Sequence, residues 1–183
     1  MTTRPYTFSV FIATSLDGFI ARTDGDIGWL TGRGPDAGDT GYQDFIDSVD
    51  TVVIGRKTYE QVLAFGREQW PYDGKQVAVL STRLDPASDP RITGYGNLAD
   101  LTRGLLDAGA KHVYADGGQV IQSLLRAGLL DELTVTTIPV LLGTGIPLFG
   151  PLDGDVTLGH RETTVLGAGF VQSRYTVEPA DPQ

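Results

Sequence analysis

Three stretches of this 183-residue chain set small, hydroxyl-bearing and cationic residues directly after apolar runs. Gly55, Arg56, Lys57 and Thr58 follow "TVVI"; Leu80 ends "QVAVL" and Ser81, Thr82 and Arg83 follow it; Asp116, Gly117, Gly118, Gln119 and Val120 follow "KHVYA". That mixture suits the binding of phosphate. Backbone N–H groups at a helix start point toward an anion, the helix dipole favours negative charge there, and guanidinium or ammonium groups add charge-assisted bonds. Glycine is costly between a strand and a helix. The pair Gly117–Gly118 therefore implies either a tight turn or a ligand that comes too near the backbone for a β-carbon. Each stretch alone also fits a solvated helix start or a plain loop. Together, at strand ends, they point to one phosphate-rich ligand, because ligands of open α/β sheets bind outside the carboxyl ends of the strands.

Other chemistries are excluded or weakened. The chain has no cysteine, so disulfides, thiol catalysis and thiolate metal sites are out, as is the P-C-x-x-C half of a zinc deaminase. Its two histidines, His112 and His160, have no metal-ligand spacing, and no metal is expected. No nucleophile elbow and no P-loop occurs. "GYGNLA" (94–99) matches a dinucleotide fingerprint, but only a marginal strand precedes it. The net charge of −9 argues against nucleic acid or an anionic membrane as partner. An anionic ligand must then be held by a local cluster of cations and amides. The N-terminal apolar run is too short for a signal peptide or a span, so a cytoplasmic protein is expected.

The elements that would carry these residues alternate. "YTFSVFIAT", "TVVIG", "QVAVLS", "RIT" and "KHVYA" read as strands, and "DELTVTTIPVLL" (131–142) as a long one. Helical spacing marks "YQDFIDSV", "RKTYEQVLAF", "NLADLTRGLLDAG" and "QVIQSLLRAG". The end differs: 155–177 holds two strands around "GAG", an antiparallel hairpin. The expected fold is one domain over 1–178 with a tail at 179–183. It is an α/β three-layer sandwich on a mixed, mainly parallel sheet of about eight strands.

The segments "FSVFIATSLDGFIA", "GDIGWL", "TVVIGRKTYE", "VAVLST", "VYADGGQVIQSLLRAGLLDELTVTTIPVLLGTGIPLFG" and "VQSRYTV" resemble, in order, the dihydrofolate reductase-like superfamily. The nearer resemblance is to the reductase domain of bacterial riboflavin biosynthesis and its stand-alone relatives. The resemblance implies NADPH as hydride donor. Ala13 and Ile20 would flank the nicotinamide; Gly55 to Thr58 and Leu80 to Arg83 would hold the phosphates and the adenosine ribose. Asp116, Gly117, Gly118, Gln119 and Val120 would seat the pyrophosphate on a helix start, the glycines clearing space for it. Hydride transfer needs no protein nucleophile, only orientation and electrostatics, which agrees with the exclusions above.

The substrate half is less legible. Asp39, or Asp44 one helical turn further, matches the carboxylate that dihydrofolate reductases place near the pterin; Asp36 is a third choice, and an N-cap role competes for Asp39. Trp29 lies in the loop that the resemblance places over the nicotinamide, or is a core aromatic. With Phe45 and Phe149 it is expected to face substrate. Gly143 and Gly145 read as bends in a strand. Arg33, Arg67 and Arg161 are the cations left for a phosphorylated substrate, and nothing groups them. The expected function is reduction of a small heterocycle or ribosylamino-pyrimidine. Dihydrofolate or pterin reduction, a non-catalytic NADPH-binding protein and a flavin-handling protein are the alternatives. A homodimer is expected from the apolar run "TVTTIPVLLGTGIPLF" and from the pairing habit of the resembled relatives.

Overall fold

The structure, a computed structural model, describes residues 4–66, 70–85 and 89–178. Arg67 and the tail at 179–183 lie outside the described residues. In chain order the elements are β1 (Thr7–Ser15), β2 (Phe19–Ala21), α1 (Gly28–Thr31), α2 (Tyr42–Ser48), β3 (Thr51–Gly55), α3 (Arg56–Ala64) and β4 (Gln76–Leu80). There follow β5 (Ile92–Tyr95), α4 (Leu98–Asp107), β6 (His112–Asp116), α5 (Gly118–Arg126), β7 (Glu132–Ile138), β8 (Ile146–Pro147), β9 (Leu158–Val165) and β10 (Val171–Val177).

Eight strands form one sheet in the order β5-β4-β3-β6-β1-β7-β10-β9. The first six are parallel. The closing hairpin β9–β10 pairs antiparallel with β7. The expected mixed, mainly parallel sheet is thus present. A parallel sheet must be covered on both faces, and the strand sequences meet that demand. In β3, Val52, Val53 and Ile54 are all fully buried, so successive residues enter opposite cores. On one face Ile121 and Leu124 of α5 and Leu101 and Leu105 of α4 pack on Phe8, Val53 and Val113. On the other, Ile46 of α2 and Tyr59 and Val62 of α3 pack on Val52, Ile54 and Tyr114.

Two expectations change. The run 131–142 is not one strand: β7 stops at Ile138, because Pro139 has no N–H to continue the ladder. Nor does the run form a sheet edge, since β7 lies between β1 and β10. "GYGNLA" is a helix start, in which the Asn97 side chain accepts from Asp100 N at 2.9 Å and caps α4. A separate two-stranded arm, β2 with β8, crosses the end of the main sheet.

Candidate active site

The strand register builds a ledge. Gly55 lies opposite Leu80, Leu80 opposite Tyr95, and Ile54 opposite Asp116. β3, β4, β5 and β6 therefore end level. β1 leaves β6 after the Ser9–Tyr114 pair and runs on beside β7 to Ser15. Its last residues, with the β2–β8 arm, make a wall beside the ledge.

The β3–α3 and β6–α5 turns meet on this ledge. A β-carbon on Gly117 would stand 2.5 Å from Thr58 Oγ1, and one on Gly55 would stand 3.6 Å from Val120 Cγ2. Gly117 has φ of +93°, a conformation that side chains oppose, so both sterics and backbone require glycine. The N-caps of α3 and α5 are Gly55 and Gly117, and neither helix has a side-chain cap. Their first N–H groups are left for other acceptors, unlike those of the neighbouring α4. Arg56 pairs with Glu60 at 2.5 Å within α3 and is still partly exposed; Lys57, Thr82 and Arg83 are exposed. Ser81 N donates to Tyr95 O, and Ser81 Oγ accepts from Arg83 N, which shapes the turn after β4.

Gly118 has a reason within the protein itself, beside the one the sequence suggests. It is buried, and a β-carbon there would lie 3.1 Å from Ile20 Cδ1 and 3.1 Å from Pro147 O. The close approach is made by the β2–β8 arm of the protein itself.

Asp116 ends β6, the strand of the ledge that lies next to β1. Its Oδ1 accepts from Gly117 N at 2.7 Å. Burial pushes its carboxyl above the usual carboxylate range, against the smaller opposing effect of that bond. The Tyr42, Tyr72 and Tyr114 hydroxyls are raised too, first by their own burial and then by the charge of Asp116. Aromatic rings continue below: Phe45 lies 5.1 Å from Phe11 and 5.2 Å from Tyr114, edge-on to the latter. The arrangement is an amide-rich ledge with Lys57 and Arg83 exposed and Asp116 half-buried beside it, while the Phe11–Phe45 rings lead away toward the amino-terminal end of β6.

The model of the RibD C-terminal domain matches residues 7–172. The chain belongs to the RibD C-terminal domain family. Within it, the chain is 37% identical over 168 residues to the uncharacterized protein YwjB of Bacillus subtilis (strain 168), covering 91% of this chain and 95% of that protein. A solved structure named for riboflavin biosynthesis, from Shewanella sp. PV-4, superposes with a TM-score of 0.85 at 36% identity, covering 94% of this chain and 99% of that one. The riboflavin biosynthesis protein RibD of Corynebacterium ammoniagenes is 29% identical over 183 residues, and the match spans 53% of its length.

The RibD-type site does not gather every residue expected of it. Trp29 is buried with Ala37, Ile138 and Phe170, and its indole N–H has no partner among the described residues. Ala13 packs against the same cluster. Asp39 does not cap α2, whose N-cap is Gly41; its Oδ1 instead accepts from Gly41 N at 2.8 Å. Asp44 is exposed and lines a pocket of about 350 Å³ with Phe11, Phe45, His112, Glu132 and Arg174, among residues from the opposite, amino-terminal ends of β6 and β7. Asp36 is exposed, its carbonyl packed beneath Gly167 at the hairpin tip. Phe149 is not brought to the Phe11–Phe45 rings. Gln122 of α5 donates to Pro147 O and Leu148 O, which holds that segment against α5, across the sheet from Phe45. Arg33 donates to Trp29 O at 2.8 Å, and Arg161 is exposed on β9. Gln119 is exposed at the start of α5 and Val120 is buried beneath it. Asp116 was legible as a ledge residue, but its half-buried setting, which sets it apart from the exposed Asp39 and Asp44, follows only from the packing of β6.

Proposed function

We propose that the protein is an NADPH-dependent reductase of a small planar heterocycle, of the ribosylamino-pyrimidine or pterin class. The carrying observation is the pair of helix starts without side-chain caps, α3 and α5, joined by the Thr58–Gly117 contact and flanked by Arg56, Lys57 and Arg83. Such a donor set fits a dinucleotide pyrophosphate and a further phosphate. Gly55, Arg56, Lys57 and Thr58 would hold the cofactor from one side, Leu80, Ser81, Thr82 and Arg83 from the adenosine side, and Gly117, Gly118, Gln119 and Val120 at the start of α5. Ala13 and Ile20 border the nicotinamide end. When bound, NADPH supplies a hydride, which leaves with the electron pair of its C–H bond for an electrophilic carbon of the substrate.

The chain's own part is orientation and a proton. Ile20 of the β2–β8 arm and the end of β1 would supply the apolar wall against which a planar heterocycle can lie beside the ledge. The Trp29 N–H, buried with Ile138 and Phe170 and without a partner among the described residues, is left for a water rather than for substrate. Asp116, whose carboxyl burial favours in the neutral form, donates the proton to the heteroatom beside the reduced carbon and is recharged from solvent. We assign it this role in preference to Asp39 and Asp44. Loss of NADPH absorbance with a panel of ribosylamino-pyrimidines and pterins tests the reading. No oxidation with either class, despite NADPH binding, leaves a non-catalytic binding protein.

We also propose that two copies pair through the β9–β10 ribbon. On its α5 side the cross-strand pairs are Val165–Val171, Thr163–Ser173, His160–Tyr175 and Leu158–Val177. None carries a formal charge, although the chain has a net charge of −9. A face without like charges is where two such chains can meet.

A further inference from the structure

One exposed carboxylate ties the base of the β2–β8 arm to the body of the protein. Asp17 sits in the turn between β1 and β2. Its Oδ1 accepts from Ser15 Oγ at 2.6 Å and from Leu142 N at 3.1 Å, and its Oδ2 accepts from Gly143 N at 2.7 Å and Leu142 N at 3.1 Å. Ser15 Oγ accepts in turn from Phe19 N at 3.0 Å, the first residue of β2. Gly143 has φ of +74° with open space where a β-carbon would be, so glycine serves there to turn its N–H toward Asp17 rather than to make room. These bonds hold the Asp17 carboxyl below the usual range, the Ser15 hydroxyl foremost.

The loop that Asp17 grips leads directly into β8, and the turn that carries Asp17 leads directly into β2. Phe19 pairs with Pro147, and Ala21 with Ile146. Next to this base, where Phe19 pairs with Pro147, Ile20 and Pro147 close over Gly118 at the start of α5. Both strands are too short to keep a register unaided. The arm borrows its placement from its base, where two loop amides and one hydroxyl share a single side chain.

We propose that Asp17 is a positioning residue, a latch that fixes the β2–β8 arm and thereby sets Ile20 against the nicotinamide end of the cofactor. The proposal rests on the NADPH reading above. The phosphate contacts proposed at Arg56, Lys57 and Arg83 belong to the turns after β3 and β4, and Asp17 bonds only to Ser15, Leu142 and Gly143 among the described residues. Releasing the latch should therefore loosen the nicotinamide while leaving the rest of the cofactor held.

Asp17→Ala and Asp17→Asn, compared with the parent by NADPH titration, nicotinamide fluorescence and amide exchange, test this. Asp17→Ala is expected to keep NADPH affinity within roughly threefold and to lose most of the fluorescence gain that an enclosed nicotinamide shows. The amides of Leu142 and Gly143 should exchange faster, and Asp17→Asn, which keeps an acceptor, should fall between. Fluorescence and exchange equal to the parent in Asp17→Ala would overturn the latch while leaving the NADPH reading intact. Affinity that falls together with melting temperature, with fluorescence per bound cofactor unchanged, would show a merely structural side chain. A parent protein that fails to bind NADPH removes the reading and the latch together.

Discussion

The sheet has two halves that differ in how they are covered. From β5 to β1 the strands lie between two helical layers, and Val52, Val53 and Ile54 show that both faces are fully buried. β7 still sends Leu133 into the core beneath α5, but the β9–β10 ribbon beyond it is mostly exposed or half-buried. One face of the ribbon there carries Gln172, Arg174, Glu162 and Thr164, and water suffices for it. The opposite face carries Val165, 73% exposed, and Val171, 38% exposed. An antiparallel sheet tolerates one solvated face, not two with apolar side chains. The covered half holds the candidate chemistry on rigid strand ends, and the other half ends in an uncovered surface. Stability and catalysis should therefore respond to changes in the first half, and association to changes in the second.

The largest effect belongs to the ledge. Asp116→Asn should lower turnover about 10²–10⁴-fold, the usual worth of a positioned acid, once a substrate is found. It should also stabilise. Burial raises the folded-state pKa, so ionising Asp116 costs the fold stability from about pH 4 upward, and Asn carries no such cost. Melting curves should show the variant ahead of the parent at neutral pH and level with it near pH 4. A variant that melts lower at pH 7 and turns over normally removes Asp116 from the mechanism.

Next is the core beneath the ledge. Phe8, fully buried in β1, should cost about 3–5 kcal/mol when changed to Ala, read by denaturant unfolding. A loss below about 1 kcal/mol would mean that the covered half is not the stabilising one.

Cofactor choice comes third. Arg56, Lys57 and Arg83 should give NADPH about a ten- to hundredfold advantage over NADH, since a charge-assisted contact contributes roughly 1.5–3 kcal/mol. Equal dissociation constants by tryptophan fluorescence would detach these cations from the 2′-phosphate.

The smallest effect on folding is expected in the ribbon. Val165→Glu with Val171→Glu should turn a dimer into a 19.6 kDa monomer in light scattering. Exposed substitutions of this kind usually change monomer stability by no more than about 0.5 kcal/mol. A parent that is already monomeric at micromolar concentration, or a double variant that still pairs, would break the contrast between the halves.

How much was legible follows from how local each signal is. Strands and helices with a clear period, such as "TVVIG" and "QVIQSLLRAG", are visible in sequence because their burial pattern repeats within a few residues. The turns bearing Gly55 to Thr58 and Asp116 to Gly118 are visible because glycine and cations punctuate those runs. The β2–β8 arm is not, since three residues and two residues carry no period. Its consequence was missed with it: the space at Gly118 is taken by Ile20 and Pro147. The place of Phe149 was not legible for the same reason, as it depends on Gln122 gripping a segment 25 and 26 residues further along the chain.

The sequence by itself determined the alternation of elements, the hairpin at the end, and the three turns rich in glycine, hydroxyls and cations, because propensity, periodicity and turn chemistry act over short stretches. Only the tertiary structure decided the strand order, which brings those turns level on one ledge. It alone separated Asp116 from Asp39 and Asp44, since burial depends on what distant segments pack around a carboxyl. It alone enclosed β7 between β1 and β10 and left the uncharged face of β9 and β10 at the edge of the sheet. Exposure is a property of neighbours, and neighbours across a sheet are far apart in the chain.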